Sequence, residues 1–248
     1  MKIILAATAA LLAVPASAAI SINYEKPGVQ ETTAGFTVVG VERFEGQTTG
    51  LASNFVTDFG TGGAIVATYK GGRIDNANVY GSAGGTGKHI VTFQSLPVID
   101  VTFTTTLKSG LNYFGYWLSA LDGNNRIDFF NGADLLGTIT PAAVRADIGN
   151  CPGGAWCGNP TAPFLNAVGH EQFAFLNVYL TGGQTYDRIR FYQVGGGGYE
   201  SDNHTVGFFT TKGGVVPEPA TWAMMIAGFG LVGAAVRRRG HSPAVALA

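Results

Sequence analysis

Apolar and polar residues alternate with period two along most of this chain, and that alternation restricts it to sheet structure. In Asp100-Val101-Thr102-Phe103-Thr104-Thr105-Thr106-Leu107 one face carries Val101, Phe103 and Leu107, while Asp100 and threonines occupy the other. Arg188-Ile189-Arg190-Phe191 repeats the pattern with both arginines outward. Segments 37–44, 65–69, 89–93, 112–118, 126–130, 135–140, 173–180 and 205–210 also read as strands, separated by Gly, Asn or Asp turns. Successive side chains of a strand point to opposite faces, so each segment has a face to bury. About ten such strands, with no convincing amphipathic helix, predict an all-β antiparallel sandwich. Segment 173–180 is apolar on both faces and is predicted to run centrally.

Composition agrees. The 37 glycines supply turns, and charged residues make up only 12% of the chain, about half the usual share. Aromatic and branched apolar residues are too abundant for a disordered chain. Between residues 19 and 214 there are eleven Lys/Arg against fifteen Asp/Glu and no basic patch, so nucleic acid is not an expected partner. That length suits one domain better than two.

Both ends are routing devices. Lys2 is a minimal basic region, Ile3 to Val14 an apolar stretch, and Ala16-Ser17-Ala18 an A-x-A cleavage site, which together make residues 1–18 a signal peptide. Near the other end stand Val-Pro-Glu-Pro at 216–219, an uncharged run from Ala220 to Val236, and Arg237-Arg238-Arg239. As a helix the run reaches about 25 Å, slightly short of a hydrocarbon core of roughly 30 Å, which snorkelling and local thinning accommodate. Trp222 suits one interface, and the three arginines suit the cytoplasmic one. Gly228-Phe229-Gly230-Leu231-Val232-Gly233 matches G-x-G-x-x-G, but the chain ends fifteen residues later with no acid after Glu218. A dinucleotide site is therefore rejected, and the glycines read as small residues on a membrane helix.

Pro217-Glu218-Pro219-Ala220-Thr221-Trp222-Ala223, followed by Gly228-Phe229-Gly230 and the arginines, closely resembles the PEP-CTERM sorting domain in its P-E-P-x-x-W-A form. The resemblance implies a protein of a Gram-negative bacterium, exported by the Sec translocon and anchored transiently in the inner membrane. An exosortase would then process it for the cell surface or extracellular matrix. The organisation expected is a signal peptide at 1–18, a body at 19–214, a sorting signal with one transmembrane helix at 215–240, and a short tail at 241–248. A second resemblance covers roughly residues 90–210. Tyr113-Phe114-Gly115-Tyr116-Trp117, Asp122-Gly123-Asn124-Asn125, Ile127-Asp128-Phe129-Phe130 and Gly196-Gly197-Gly198-Tyr199-Glu200-Ser201-Asp202-Asn203-His204 resemble a family of exosortase-dependent surface proteins. These have jelly-roll-like bodies, which the resemblance implies here.

Within the body, Cys151 and Cys157 lie close in sequence and are expected to form a disulfide closing a small surface loop from about Arg145 to Phe164. Glu200, Asp202 and Asn203 form the densest polar cluster. Two readings fit it. Their oxygens, with Asp122, Asn124 or Asp128, would suit Ca²⁺, the one candidate cofactor; or Asp202 and Asn203 bond a turn entering the last strand, the preferred reading. Ser82–His89 lacks the first Gly and final Ser/Thr of a phosphate loop, and His170-Glu171 lacks the second His of a zinc-protease motif. No G-x-S-x-G occurs. His89, His170 and His204 are scattered and read as surface or turn residues. Of the aromatic set Tyr113, Phe114, Tyr116, Trp117, Trp156 and Tyr199, most read as core. Trp156, in the pinned loop, is the candidate for exposure and sugar stacking.

These features lead to a non-enzymatic surface or matrix protein associated with exopolysaccharide. The alternatives are a carbohydrate-binding module and, third, a glycan hydrolase. Replacing Pro217, Glu218 and Pro219 by alanine is expected to leave the body folded but uncleaved in the inner-membrane fraction. Normal release of that variant, read by fractionation and immunoblot, contradicts the sorting assignment.

Overall fold

The computed structural model describes residues 20–209, apart from 37–38, 52–53 and 194, together with Gly228. Two units divide the chain, Met1–Phe209 and Thr210–Ala248, and the architecture below belongs to the first.

Among the described residues fourteen strands run in order: β1 (Ile20–Tyr24), β2 (Val39–Glu42), β3 (Gly50–Leu51), β4 (Asn54–Thr57), β5 (Ile65–Lys70), β6 (Arg73–Asn76), β7 (Lys88–Thr92), β8 (Val98–Thr105), β9 (Tyr113–Ser119), β10 (Asn125–Asn131), β11 (Asp134–Ile139), β12 (Ala174–Leu180), β13 (Arg188–Gln193) and β14 (Tyr199–Gly207). Helix α1 (Pro141–Ile148) lies between β11 and β12. One sheet has the order β1-β12-β9-β14-β7-β6-β3, with β2 also on β14; the other has the order β11-β10-β13-β8-β5-β4. Every pairing is antiparallel. The sandwich expected from the alternation is the fold.

The inner faces of the two sheets meet in an aromatic core. Phe114 and Tyr116 of β9, Phe129 of β10, Phe191 of β13 and Tyr69 of β5 are all fully buried there. The opposite parity of β9 is buried too: Trp117 packs with Phe173, Phe175 and Ala120 in a second cluster on the outer face of the first sheet. Loops cover that face, which is why all seven residues of β9 are buried. The expected central strand, β12, stands next to the edge strand β1 and is buried on both faces by the same covering.

Helix α1 is absent from the sequence expectation, which placed a loop from Arg145. Its causes are local. Thr140 has extended backbone and its Oγ1 accepts a hydrogen bond from Ala143 N at 3.3 Å, and Pro141 occupies the first turn. Val144 and Ile148, four apart, form its buried stripe. Eight residues carry too few periods to reveal a helix by pattern alone.

Gly115 marks the tightest point of the covered face. A Cβ there would stand 2.8 Å from the Phe175 ring and closer still to Tyr113 Oη, whose hydroxyl donates to Asn177 Oδ1 at 2.7 Å. Gly115→Ala is expected to cost about 1–3 kcal/mol through overpacking, read as a lower urea midpoint at unchanged slope. An unshifted midpoint contradicts this packing.

Candidate functional site

Strand β14 holds the polar cluster singled out in the sequence, and the cluster does not form a turn ahead of the last strand. It lies inside that strand, which begins at Tyr199. Along one edge β14 pairs with β9. Along the other it pairs first with β7 (Tyr199 to Ser201) and then with β2 (His204 to Gly207). At the changeover the register shifts between Asp202 and Thr205, and Asn203 takes φ 48°. This is a β-bulge: one extra residue on β14 against β9. Its effect is to reset parity. Asp202 and Asn203 both line the outside of the strand, and His204 turns inward.

His204 then occupies the centre of the core. Its ring stacks on Phe191 at 5.1 Å and meets Phe44 and Phe114 edge-on at 5.0 and 5.3 Å. Its nitrogens are hydrogen-bonded at 2.9 Å to the hydroxyls of Tyr69 and Ser201. A neutral imidazole satisfies both hydroxyls, one as donor and one as acceptor, and burial lowers its pKa to about 3. His89 is also buried, with its pKa lowered to about 4 by burial. Both histidines therefore depart from the surface placement expected of them; His170 is exposed, beside Glu171 at 3.5 Å.

Where β7 and β2 leave a gap beside the bulge, a cavity of about 480 Å³ opens, lined by Val29, Gln30, Glu31, Arg43, Glu45, Ala83, Thr86, Asp202 and Asn203. Asp202 forms its floor. Its Oδ2 accepts from Ala83 N at 2.7 Å and its Oδ1 from Asn203 N at 2.6 Å. Burial raises its pKa to about 7 against the pull of those bonds. The Asn203 amide donates to Gln30 O at 2.9 Å. Arg43 closes one wall through its ion pair with Glu31 at 2.6 Å. On the other wall Glu45 accepts from Lys88 N at 3.2 Å. The site thus presents an amide, a guanidinium and carboxylates, with Thr86 beside them.

Glu200 lies two residues earlier, on the same outer face and opposite Ser119 of β9. Burial raises its carboxyl to about 8, with Asp122, Glu171 and Asp75 adding to the rise. Asp122 is near because the 122–125 turn packs against the glycine run. Asn125 Nδ2 donates to Gly198 O at 2.8 Å, and Asn124 Nδ2 would come within 3.3 Å of a Cβ at Gly195. Asp128 is elsewhere: on β10 in the other sheet, it pairs with Arg126 at 3.0 Å and accepts from Thr138 Oγ1 at 2.7 Å. Of the three alternatives for completing a Ca²⁺ site at Glu200, Asp202 and Asn203, Asp128 is therefore not brought to the cluster. Among the described residues no three His, Cys, Asp or Glu side chains group as a metal site.

Cys151 and Cys157 form a disulfide. Trp156 between them is half-buried rather than displayed. It packs on the main core and its Nε1 donates to Glu25 O at 3.2 Å. Sequence reasoning missed Gln30, Arg43 and Thr86, which reach the cavity from three separate segments and carry no local motif. Ala16, Ala18, Pro217, Glu218, Pro219, Trp222, Arg237, Arg238 and Arg239 lie outside the described residues, as does the expected membrane helix. Among the described residues no helix is long and apolar enough to cross a membrane.

Residues 215–239 match the family model of the PEP-CTERM protein-sorting motif. This sandwich protein therefore carries the signal of exported, exosortase-sorted surface proteins. No curated protein sequence matches the chain. Among solved structures it is similar to one described as the K2 cleaved adhesin domain of Lys-gingipain, at 14% identity and TM-score 0.39, over 70% of this chain and 99% of that one.

Stability should follow these buried acids. Glu200 and Asp202 bind more protons folded than unfolded from the ordinary carboxyl range up to about 7 to 8, so their contribution is complete in acid and lost as pH rises through that window. His89 and His204 act oppositely, losing stability as pH falls from 6.5 through about 4 and about 3. The thermal midpoint is expected to fall between about pH 6.5 and 8.5. Glu200→Gln should reduce that fall; an identical fall in variant and parent contradicts the burial assignment.

Proposed function

We propose that the chain is a non-enzymatic surface or extracellular-matrix protein of a Gram-negative bacterium, associated with exopolysaccharide and biofilm. Residues 1–18 direct export through the Sec translocon, and residues 215–240 hold the protein in the inner membrane until exosortase releases the body at 19–214. The observation that carries this reading is the sorting motif at 215–239. The disulfide fits an oxidising compartment outside the cytoplasm.

The cavity beside Asn203 supports contact with a glycan. Its volume, about 480 Å³, falls in the range of small-ligand sites, and a few convergent polar groups fix orientation in such sites. Amide, guanidinium and carboxylate groups pair well with sugar hydroxyls, each of which both donates and accepts. A defined glycan held there would make the body a carbohydrate-binding module, and the polar lining favours this second reading over catalysis.

Protein released from the exporting cells should be retained by the exopolysaccharide of those cells in a pull-down. Asn203→Ala and Arg43→Ala should each weaken binding of a cavity-bound glycan by about tenfold, the worth of one hydrogen bond to a polar or charged group. Saturable binding unchanged in both variants would remove the cavity from the reading. No retention by any polysaccharide would remove the glycan association itself.

A further inference from the structure

The outer face of the second sheet is the opposite of the roofed first face. Ile127 and Phe129 of β10, Ile189 and Phe191 of β13, and Ile99, Val101 and Phe103 of β8 fill the core. The intervening residues therefore face out. Register places them in rows across the strands: Asp128, Arg190, Asp100 and Lys70 in one, and Phe130, Arg188, Thr102 and Thr68 in the next. Arg126 stands opposite Tyr192 in a third. Arg126, Lys70, Thr102 and Thr104 are exposed, Arg188, Arg190 and Phe130 are half-buried, and Asp128 is buried.

Four cations stand here against two acids, although acids outnumber bases across residues 19–214. The acids are already used: Asp128 pairs with Arg126 at 3.0 Å, and Asp100 accepts from Arg190 Nε at 2.7 Å. Asp187, next to Arg188, turns its carboxylate to Gly132 N at 3.0 Å. Arg188 and Lys70 form no ion pair among the described residues. The guanidinium groups also sit over aromatic rings. Arg126 lies 4.2 Å over Tyr192 and Arg188 4.3 Å over Phe130, with Arg190 5.7 Å from the same ring. The rings restrict these groups, so less freedom is lost on binding. Arg126 Nη2 is held by Asp128 and Arg188 Nη2 donates to Gly132 O at 3.4 Å with its Nε buried, so an anion is met by the remaining N–H groups.

We propose that this face docks a carboxylate-bearing polysaccharide strand, gripped by Arg126 and Arg188 and laid over the threonine row. Four residues separate the two guanidinium–aromatic pairs along each strand, about 13 Å. One small anion does not span that distance, whereas a linear polyanion does. Guanidinium forks match carboxylates in bidentate geometry. The proposal rests on the reading that the protein works among exopolysaccharide, but it uses the face opposite the Asn203 cavity.

The test is equilibrium binding of the released protein to polygalacturonate, to neutral dextran, and to phosphatidylglycerol vesicles. Binding to polygalacturonate that weakens as salt rises, with little retention by dextran, is expected. Arg126→Gln and Arg188→Gln should each lower affinity about tenfold. Thr104→Lys, adding a cation to the same face, should strengthen binding, and reports even where an arginine variant folds poorly. Salt-independent binding, equal retention by dextran, or indifference to all three substitutions overturns this proposal and leaves the broader glycan reading standing. Binding to vesicles alone assigns the face to anionic lipid and overturns it. No retention by polygalacturonate, dextran or the cells' own exopolysaccharide overturns both readings.

Discussion

Strand β14 buries six consecutive polar side chains, Glu200 to Thr205, and the rest of the body is arranged to satisfy them. Buried polar groups without partners cost several kcal/mol in an apolar setting, of order 2–7, so a central strand of this kind is tolerable only where each side chain finds a partner. The bulge makes that feasible. Without the extra residue, parity would send Asn203 into the aromatic core and His204 to the outside. With it, His204 meets Tyr69 and Ser201, and Asn203 reaches Gln30. The same irregularity is where β14 exchanges β7 for β2, so the cavity, the core histidine and the split edge share one cause.

The two outer faces follow from how each sheet deals with polarity. The first has acids and amides whose partners must come from elsewhere. Segment 25–36 supplies Glu25 and Thr32 to Asn177, and the loop before β7 supplies Ala83 N to Asp202. Long connections are thereby drawn over that sheet as a roof. The second sheet draws instead on ion pairs and stacked arginines set in register, with Arg188 Nε buried and unpartnered. One side of the sandwich is consequently recessed and rich in carboxylates, and the other flat and cationic.

Strands with strict alternation were legible because one face was uniformly apolar: β5, β8 and β13 are such cases. The two parities of Tyr113, Phe114, Tyr116 and Trp117 were also separable, but not that both would be buried, since the roof over Trp117 comes from distant segments. Polar residues at both parities in 200–205 looked like a turn; the partners that bury them are Tyr69, Ala83 and Gln30, more than a hundred residues away. Short-range pattern does not encode such pairings, which is why His89 and His204 read as surface residues. Strands β3, β4 and β6 escaped notice for lack of length, at two, four and four residues. The disulfide needed no long-range information, because both cysteines lie on one loop.

That disulfide holds less than its position suggests. It closes so short a loop that chain entropy supports only about 2 kcal/mol. It crosslinks the loop to itself and not to either sheet. What ties the loop to the body is Trp156, through its bond to Glu25 O and its packing on the core, together with Phe173 N donating to Trp156 O at 2.8 Å. Glu25 also bonds Asn177, which accepts from Tyr113 above Gly115. The roof is thus one hydrogen-bonded assembly from the N-terminal segment to the pinned loop, and its integrity depends on the half-buried Trp156 and on amide contacts more than on the covalent link.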